Sequence, residues 1–546
     1  MYKKIFALLV AQLCVLGMYA QQRTISEMKR LAVQKLSGKD VSLLENRGKL
    51  YVYGNEDGFV IINRNDDSRP VVGYSKKKYD KNRLPEGLKW WLQVAEKTIQ
   101  AKNDMMEPAR NRASYSAVEP FILSTWDQEK PYYYLCPKDN GKYCMTGCVA
   151  TTLAQVLYYY KYPATATGEG SYYLNDKTYN KTINTTYDWG NMKNSYKATD
   201  LRLSDPVQAV AALMRDCGYA TNMTYSSDGS GTSDYYMALS LKNVFKYDSL
   251  AIRYYDRDCY ADEEWKGLIY SALAKKMPIM YAGADEEGNN GHEFLLCGID
   301  SDGLVYVNWG WGGDGDGFFD LDMLKYYGNE FNHLQSMVLG TKPQETPDSE
   351  DKYSSLWIAD SVDYAVYDND VLEMNLLYMF NYTVLDFNGT LDLTLVNKFD
   401  ASDVTHLNLI NTHEEESGTV GPFYGYYFIN DKTEEQEPVY MNGFKDLSPG
   451  IYRMYLTSKE DRDSQRQTIR CPGGVQYATL KKLSDGQLLV SNKDVDDIST
   501  GVEIIRNQSR QNSNASIYRL DGSKTAIGNG LSKAIYVVNG KKVILP

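Results

Sequence analysis

Cys148 stands directly after Gly147 and directly before an apolar segment with helical spacing. The apolar face of the predicted helix comprises Val149, Leu153, Val156, Leu157 and Tyr160. The helix must end before Pro163. A thiol at the start of a helix lies where backbone N–H groups lack partners and stabilise a thiolate. Cys148 is therefore a candidate nucleophile, and a buried structural cysteine is the alternative interpretation.

A thiol nucleophile needs a base, and the sequence contains four histidines: His292, His333, His406 and His413. His406 and His413 fall in a C-terminal region of predicted strands, and His333 falls in a predicted loop. His292 begins the predicted strand HEFLLCGI, which would hold an imidazole on rigid structure. His292 is therefore the candidate base, although a single histidine is more often a satisfied surface or core residue.

Asn308, in the segment VYVNWGWGG, is the candidate partner of that histidine. An imidazole that serves a thiolate needs its second nitrogen held by an acceptor, and an asparagine oxygen can do this. Trp309 and Trp311 could shield the bond from water, or they could be ordinary core aromatics. An ideal two-residue hairpin at Ser301-Asp302 would set Trp311, rather than Asn308, opposite His292. Asn308 therefore reaches the histidine only through a β-bulge or a shift in register.

These residues must be positioned by several cores, since 546 residues exceed the size of one domain. Residues 1–20 have two lysines, an apolar run and a small residue before Gln21, and they predict a signal peptide. That run is shorter than the roughly 20 apolar residues of a membrane span, and no other window is long enough. The sequence therefore predicts an exported protein without a transmembrane segment. Loss of Cys14 with the signal leaves an odd number of cysteines, consistent with a free reactive thiol.

The composition argues against several other classes of protein. The net charge of −12 argues against a nucleic-acid surface, which needs clustered Lys and Arg. The Gly-rich segment at 310–315 matches a dinucleotide-binding pattern without the helix that should follow it. The acidic residues after it lack the spacing of a calcium loop, and Cys136, Cys144 and Cys148 lack zinc-site spacing. No cofactor and no metal are therefore predicted.

The predicted fold class is α+β, in four consecutive units. Residues 21–117 predict a small α+β unit with a helix over 24–38 and a hairpin at residues 55–58. Residues 118–343 predict helices first and then strands, which is an α+β plan with two halves. Residues 350–490 alternate strand runs with turn signals, typical of a β-sandwich, and residues 491–546 predict further short strands.

Two segments, TGCVATTLAQVLYYYKYP and GHEFLLCGIDSDGLVYVNWGWGGDGDGFFDLDML, closely resemble the active-site segments of the streptopain family of secreted cysteine proteases. The resemblance extends through GSGTSDYYMALSLKNVFKYD and, more weakly, back over GFVIINRNDDSRPVVGYS. It covers about residues 25–343. It implies a papain-like catalytic domain at 118–343 and an inhibitory pro-domain at 21–117.

The resemblance implies roles for particular residues. Cys148 would be the nucleophile, His292 its base and Asn308 the group that orients the base, with Trp309 packed beside them. Gln128, in STWDQEKPYY, matches the family's oxyanion-hole glutamine. The substrate cleft would be lined by Gly229, Ser230, Gly231 and Gly291, and the family prefers an apolar side chain one residue before the scissile one. Departures from the family pattern occur at Thr152, Leu153 and Glu293.

The function implied is a secreted cysteine endopeptidase that is made as a zymogen and acts on proteins or peptides, with its own pro-domain as intramolecular inhibitor. The C-terminal segment resembles sorting domains that direct proteins through outer-membrane secretion machinery to the surface, and a purely structural β-domain is the alternative. Two other functions remain open. One is an inactive papain-like domain that serves as a surface adhesin or binding protein. The other is an amidase or transglutaminase with the same Cys-His-Asn chemistry.

Overall fold

A computed structural model describes residues 22–65, 69–104, 116–284, 291–324, 335–343, 353–358, 361–368, 370–376, 378–414, 420–427, 438–498, 517–519, 524–525, 534–538 and 541–545. The predicted signal peptide at 1–20 and the loop that carries His333 lie outside the described residues. Among the described helices, none combines the length and apolarity that a membrane crossing requires.

The described helices follow the apolar periodicities of the sequence. They are α1 (Ile25–Lys35), α2 (Glu86–Asp104), α3 (Cys148–Tyr160), α4 (Asp205–Ala220), α5 (Asp234–Asn243) and α6 (Asp262–Ala274). Side chains cap two of these helices: Thr24 accepts from the N–H of Glu27, and Ser233 accepts from the N–H of Tyr235. Helix α3 ends at Tyr160, before the proline, as predicted. Helix α2 was not predicted from the sequence, and it packs beside the candidate site described below.

The strands before residue 344 are short and mostly antiparallel. They are β1 (Ser42–Arg47), β2 (Leu50–Asn55), β3 (Gly58–Asn63), β4 (Val71–Ser75), β5 (Lys138–Asp139), β6 (Lys142–Tyr143), β7 (Thr165–Leu174), β8 (Lys177–Thr186), β9 (Met223–Thr224), β10 (Arg253–Asp256), β11 (Ile279–Gly283), β12 (His292–Ile299), β13 (Val305–Asn308), β14 (Gly317–Phe319) and β15 (Gln335–Leu339). The predicted hairpin at 55–58 is present, with Asn55 paired to Gly58. The sequence segments MPIMYAG, HEFLLCGI and LVYVNWGW, at residues 277–283, 292–299 and 304–311, predict strands, and β11, β12 and β13 lie within them.

Ten of these strands form one antiparallel sheet in the order β1-β2-β3-β4-β14-β13-β12-β11-β15-β10. Strand β4 of the N-terminal unit pairs with β14, with Tyr74 opposite Phe318 and Gly73 opposite Phe319. A Cβ on Gly73 would lie 2.8 Å from the Phe319 ring, so the close approach there requires glycine. The N-terminal unit therefore extends the sheet of the central unit at its edge.

Strand β12 lies in the middle of this sheet, and all eight of its residues are buried. Both α2 and α3 contact it. His292 and Phe294 face α2, where the Phe294 ring lies 5.9 Å from that of Trp90. Glu293 points to the opposite face, because successive side chains of a strand alternate. The first two residues of β12 therefore present different chemistry to the two sides of the sheet.

The C-terminal strands form a sandwich. They are β16 (Tyr353–Ile358), β17 (Asp363–Asp368), β18 (Val371–Asn375), β19 (Tyr378–Asn381), β20 (Gly389–Asn397), β21 (Val404–Asn411), β22 (Gly425–Tyr427), β23 (Val439–Asn442), β24 (Gly450–Glu460), β25 (Gln467–Arg470), β26 (Ala478–Lys482) and β27 (Leu488–Ser491). A three-stranded sheet, β17-β18-β23, and a larger sheet built around β20 and β24 share one apolar core. Strands β28 (Ile517–Arg519), β29 (Lys524–Thr525), β30 (Ala534–Val538) and β31 (Lys541–Leu545) form a separate sheet.

Candidate active site

Gly147 and Cys148 form the junction between a loop and helix α3. Gly147 has a φ of 87°, in the left-handed region that other residues rarely adopt. A Cβ at this position would lie 2.7 Å from Met223 Cε and 3.0 Å from the Ser230 carbonyl oxygen. Glycine therefore allows the sharp turn that presents Cys148 as the first residue of the helix.

Cys148 is half-buried at the helix N-terminus. Burial raises the pKa of its thiol, and hydrogen bonds from the backbone N–H groups of Glu293 and Val149 offset part of that rise. Donors from a strand and from a helix thus converge on the sulfur, as a thiolate would require. Since burial outweighs them, the thiol is protonated at neutral pH in this state and needs a base to lose its proton.

His292 is buried at the start of β12, and its Nε2 atom lies 3.1 Å from the Trp309 carbonyl oxygen. A carbonyl can only accept, so Nε2 carries the proton and Nδ1 is left as the acceptor. Burial lowers the pKa of His292, while the Trp309 carbonyl and the charge of Glu86 offset part of the shift. The ring is therefore neutral at neutral pH, which is the form a base requires.

Among the described residues, no hydrogen bond joins the predicted pair Asn308 and His292, and the Trp309 carbonyl is the partner of the imidazole. Asn308 pairs with Leu295, and a straight continuation of that register sets Trp311 opposite His292. A bulge does occur between Leu296 and Ile299. The turn between β12 and β13 is longer than two residues, and the bulge compensates for it, so the register at His292 stays as in the ideal hairpin. The acceptor for the His292 N–H is therefore the backbone carbonyl of Trp309, one residue after Asn308.

The Asn308 side chain instead anchors the segment that carries this carbonyl. Its Nδ2 donates to the Ser124 carbonyl at 2.8 Å and to Gln155 Oε1 at 3.2 Å. Its Oδ1 accepts from the N–H of Gly310 at 3.0 Å. Gln155 is fully buried on α3, so these bonds join the helix of the cysteine to the loop that holds the histidine. Gln155 was not among the predicted site residues, although a polar residue within an apolar helix is a signal for such a role.

Asp316 supports the same segment from its other side. Its Oδ1 accepts from the N–H of Trp309 at 2.9 Å, and burial raises its pKa to about 7. The Trp309 indole is fully buried and donates to the Gly315 carbonyl at 3.1 Å. The Gly-rich segment at 310–315 therefore helps to fix Trp309, the residue whose carbonyl orients His292. Its sequence pattern did not indicate this role.

Gln128 is buried close to the turn that leads into Cys148. Its backbone carbonyl accepts from the N–H of Thr146 at 3.1 Å. The Asp127 carboxylate accepts from the N–H groups of Gln128 and Glu129, which fixes the turn around the glutamine. The structure thus places Gln128 beside the segment that precedes the cysteine.

The glycine-rich loop after β9 lies against Gly147, as the contact with the Ser230 carbonyl shows. The Ser230 hydroxyl accepts from the N–H of Ser226 at 3.1 Å, and the Ser226 carbonyl accepts from the N–H of Met145. Gly229 and Gly231 flank Ser230 in this loop. Gly291 is exposed directly before His292. The loop of Gly229, Ser230 and Gly231 thus lies next to the turn before Cys148. Gly291 lies next to His292.

Helix α2 covers the histidine side of the site. A Cβ on Gly87 would lie 2.5 Å from His292 Cδ2 and 2.5 Å from Trp309 Cε3. Trp90 donates from Nε1 to the Ala284 carbonyl at 2.7 Å, and its ring lies directly against Gly283. Among the described residues, no hydrogen bond joins the Cys148 sulfur to the imidazole. Helix α2, which lies outside the central unit, therefore packs directly against His292.

Comparison with family models gives two matches. Residues 126–319 match the Peptidase C10 family, and residues 19–99 match the Spi protease inhibitor family. The first match contains Gln128, Cys148, His292 and Asn308, and the second contains the start of α2 with Gly87. The two matches correspond to the central unit and the N-terminal unit.

Known proteins show the same relationship. Thiol protease/hemagglutinin PrtT of Porphyromonas gingivalis is 35% identical over 296 residues, which are 50% of this chain and 33% of that protein. Streptopain of Streptococcus pyogenes is 28% identical over 54% of this chain and 81% of its own length. The structure of a Prevotella intermedia prointerpain A fragment is 32% identical, with a TM-score of 0.51 and coverage of 56% of this chain and 99% of the fragment. The chain thus spans a third of PrtT and most of streptopain.

Proposed function

The chain belongs to the Peptidase C10 family, and on that premise we propose that it is a cysteine endopeptidase made as a zymogen. The main support for this proposal is the tautomer of the His292 imidazole. Its Nε2 is bound to the Trp309 carbonyl, which leaves the lone pair of Nδ1 to accept a proton. Cys148, at a helix N-terminus with backbone donors on its sulfur, is the matching nucleophile.

The proposed reaction begins when Nδ1 of His292 takes the thiol proton of Cys148. The thiolate attacks the scissile carbonyl carbon, and the oxyanion is bound by the backbone N–H of Cys148 and the amide of Gln128. Each such donor commonly lowers the barrier by about 3 kcal/mol. His292 then returns the proton to the leaving amine, and water hydrolyses the thioester with His292 again as base. Asn308 contributes indirectly, by holding the backbone around the Trp309 carbonyl.

The N-terminal unit is proposed to keep the enzyme latent. Helix α2 contacts His292 through Gly87 and buries the imidazole ring. In this state, no hydrogen bond joins the ring to the Cys148 sulfur among the described residues. Strand β4 pairs with β14, so the unit is tied to the catalytic sheet as well as to the base. Cleavage between α2 and residue 118 would release both contacts. Protein or peptide substrates could then enter the cleft beside the Ser230 loop.

Export is a further part of the proposal. The predicted signal peptide at 1–20 supports a secreted or cell-surface enzyme, and the C-terminal segment at 491–546 supports its export through outer-membrane secretion machinery. Sequencing the N-terminus of the protein from culture medium tests the first element. Following the location of a chain cut at residue 490 tests the second, and retention of the wild-type chain inside the cell would contradict both.

The decisive experiment compares wild type with Cys148→Ala on an unfolded protein substrate under reducing conditions, with intact mass as the readout. Wild type is expected to trim its N-terminal unit and degrade the substrate, while the variant does neither. Cys471→Ser, a cysteine of the C-terminal sandwich, is the matched control and should behave as wild type. If wild type stays inert even after another protease removes residues 21–117, the endopeptidase proposal fails and a binding protein takes its place.

A further inference from the structure

The reaction proposed above makes no use of Glu293, the residue next to the base. Glu293 is 2% exposed, and its Oε1 atom has no hydrogen-bond partner among the described residues. A buried carboxyl without a partner costs stability, because its desolvation is not compensated. An unpartnered, buried carboxyl oxygen next to the base is a candidate binding group for a ligand.

The strand register shows which way Glu293 points. Glu293 pairs with Ala282 of β11, and Ala282 pairs with Ser336 of β15, so these three side chains share one face of the sheet. Ser336 donates from its hydroxyl to the carboxylate of Asp234, at the start of α5. Both carboxyls therefore lie over the same row of the sheet, while His292 lies on the other face.

This row lies beside the nucleophile. The backbone N–H of Glu293 donates to the Cys148 sulfur, and the Glu293 carboxyl interacts electrostatically with both Cys148 and Asp234. Ala282, between the two carboxyl positions, is half-buried, so the row remains in contact with solvent. A substrate held at the thiol could therefore place a side chain over Ala282 and against the carboxyls.

We propose that Glu293, together with Asp234, forms an acidic subsite beside Cys148 that accepts a lysine or arginine side chain close to the scissile bond. This inference rests on the proposed endopeptidase function and names its substrate class. A cation would pair with the unpartnered oxygen of Glu293 and favour its ionised form beside Asp234. An apolar side chain would leave the buried Oε1 atom of Glu293 without a partner.

The resting state of the subsite fits this assignment. Burial raises the pKa of Glu293 well above its usual range, and the charge of Asp234 raises it further. Burial therefore favours the neutral form of Glu293 in the empty subsite, and a bound ammonium or guanidinium group would favour its ionised form. Selection between a lysine and its uncharged counterpart norleucine would follow from that change of charge.

The test measures kcat/KM of the activated enzyme on peptides that carry lysine or norleucine at each of the two positions on either side of the scissile bond. Wild type should favour lysine by about tenfold or more at one position, and Glu293→Gln should reduce that ratio to nearly one. Glu129→Gln removes an exposed glutamate near Gln128 and is the matched control for long-range charge, so its ratio should equal that of wild type.

A second measurement does not depend on the folding of Glu293→Gln. The full-length Cys148→Ala chain, after removal of its N-terminal unit by another protease, should bind the lysine peptide about tenfold more tightly than the norleucine peptide. A wild-type enzyme that cleaves both peptides equally at every position would overturn the subsite and leave the endopeptidase intact. A wild-type enzyme that cleaves no peptide would overturn both proposals.

Discussion

The Nε2 atom of His292 and the carbonyl oxygen of Trp309 lie 3.1 Å apart, and this contact defines the candidate active site. It fixes the tautomer of the imidazole, and it makes a backbone atom rather than an asparagine side chain the orienting group. The backbone at Trp309 is held in turn by Asp316 at its N–H and by Asn308 through Gly310. The geometry of the base thus depends on residues that never touch it.

Asn308→Ala should therefore act mainly on stability. It removes hydrogen bonds to the Ser124 carbonyl and from the Gly310 N–H, and leaves buried groups without partners. The expected loss is about 1–3 kcal/mol of unfolding free energy. The kcat of the folded fraction should fall by about tenfold or less, whereas His292→Ala should abolish activity. Denaturant unfolding and active-site titration separate the two effects, and a loss of activity equal to that of His292→Ala would restore a direct role for Asn308.

Asp316 should make the stability of the zymogen depend on pH. Its folded pKa is raised to about 7 from an ordinary value of 3.8, so the folded chain binds more protons than the unfolded chain between those values. The contribution of Asp316 to stability is therefore greatest at low pH and is lost as pH rises towards 7, by about 4 kcal/mol at most.

Asp316→Asn keeps an acceptor for the Trp309 N–H and removes the titration. The difference in unfolding free energy between wild type and Asp316→Asn, measured in the Cys148→Ala background, should therefore change between pH 4 and pH 7 and level off above it. A difference that is constant across this range would show that Asp316 does not titrate there.

Gly147→Ala should damage both the fold and the activity. Its φ of 87° is unfavourable for alanine by about 1–2 kcal/mol, and the new Cβ would meet Met223 and the Ser230 carbonyl. We expect kcat/KM to fall by about tenfold or more as the cysteine and the cleft loop shift. Gly267→Ala is the matched control, since nothing lies within 4 Å of its added Cβ and its φ is ordinary. Equal effects of the two substitutions would contradict this account.

Gly87→Ala should weaken the inhibitory contact of the N-terminal unit. The added Cβ would meet His292 Cδ2 and Trp309 Cε3 at 2.5 Å, so α2 must move away from the base. The full-length zymogen is then expected to process itself several-fold faster than wild type, followed by intact mass. Gln93→Ala changes an exposed position on the same helix and should leave the rate as it is. Unchanged processing by Gly87→Ala would show that α2 does not restrain His292.

The sequence alone was informative where a local pattern carries the chemistry. The apolar stripe after Gly147 determined that Cys148 begins a helix, and the motifs around Cys148 and His292 indicated the family that the comparisons support. The strands β11, β12 and β13 and the hairpin at 55–58 also followed from local periodicity and turn residues. Such features depend on neighbours within a few positions, so the linear order is enough to find them.

The tertiary structure decided which groups meet. Asn308 lies opposite Leu295 because the bulge in β12 absorbs the longer turn, and a register of this kind depends on the whole sheet. Every residue has a backbone carbonyl, so the sequence of side chains does not indicate that the Trp309 carbonyl binds His292. Glu293 and Asp234 are far apart in the chain, and only the pairing of β12, β11 and β15 brings them to one row beside the thiol. The burial of Glu293 Oε1 without a partner arises from packing, which no local pattern records.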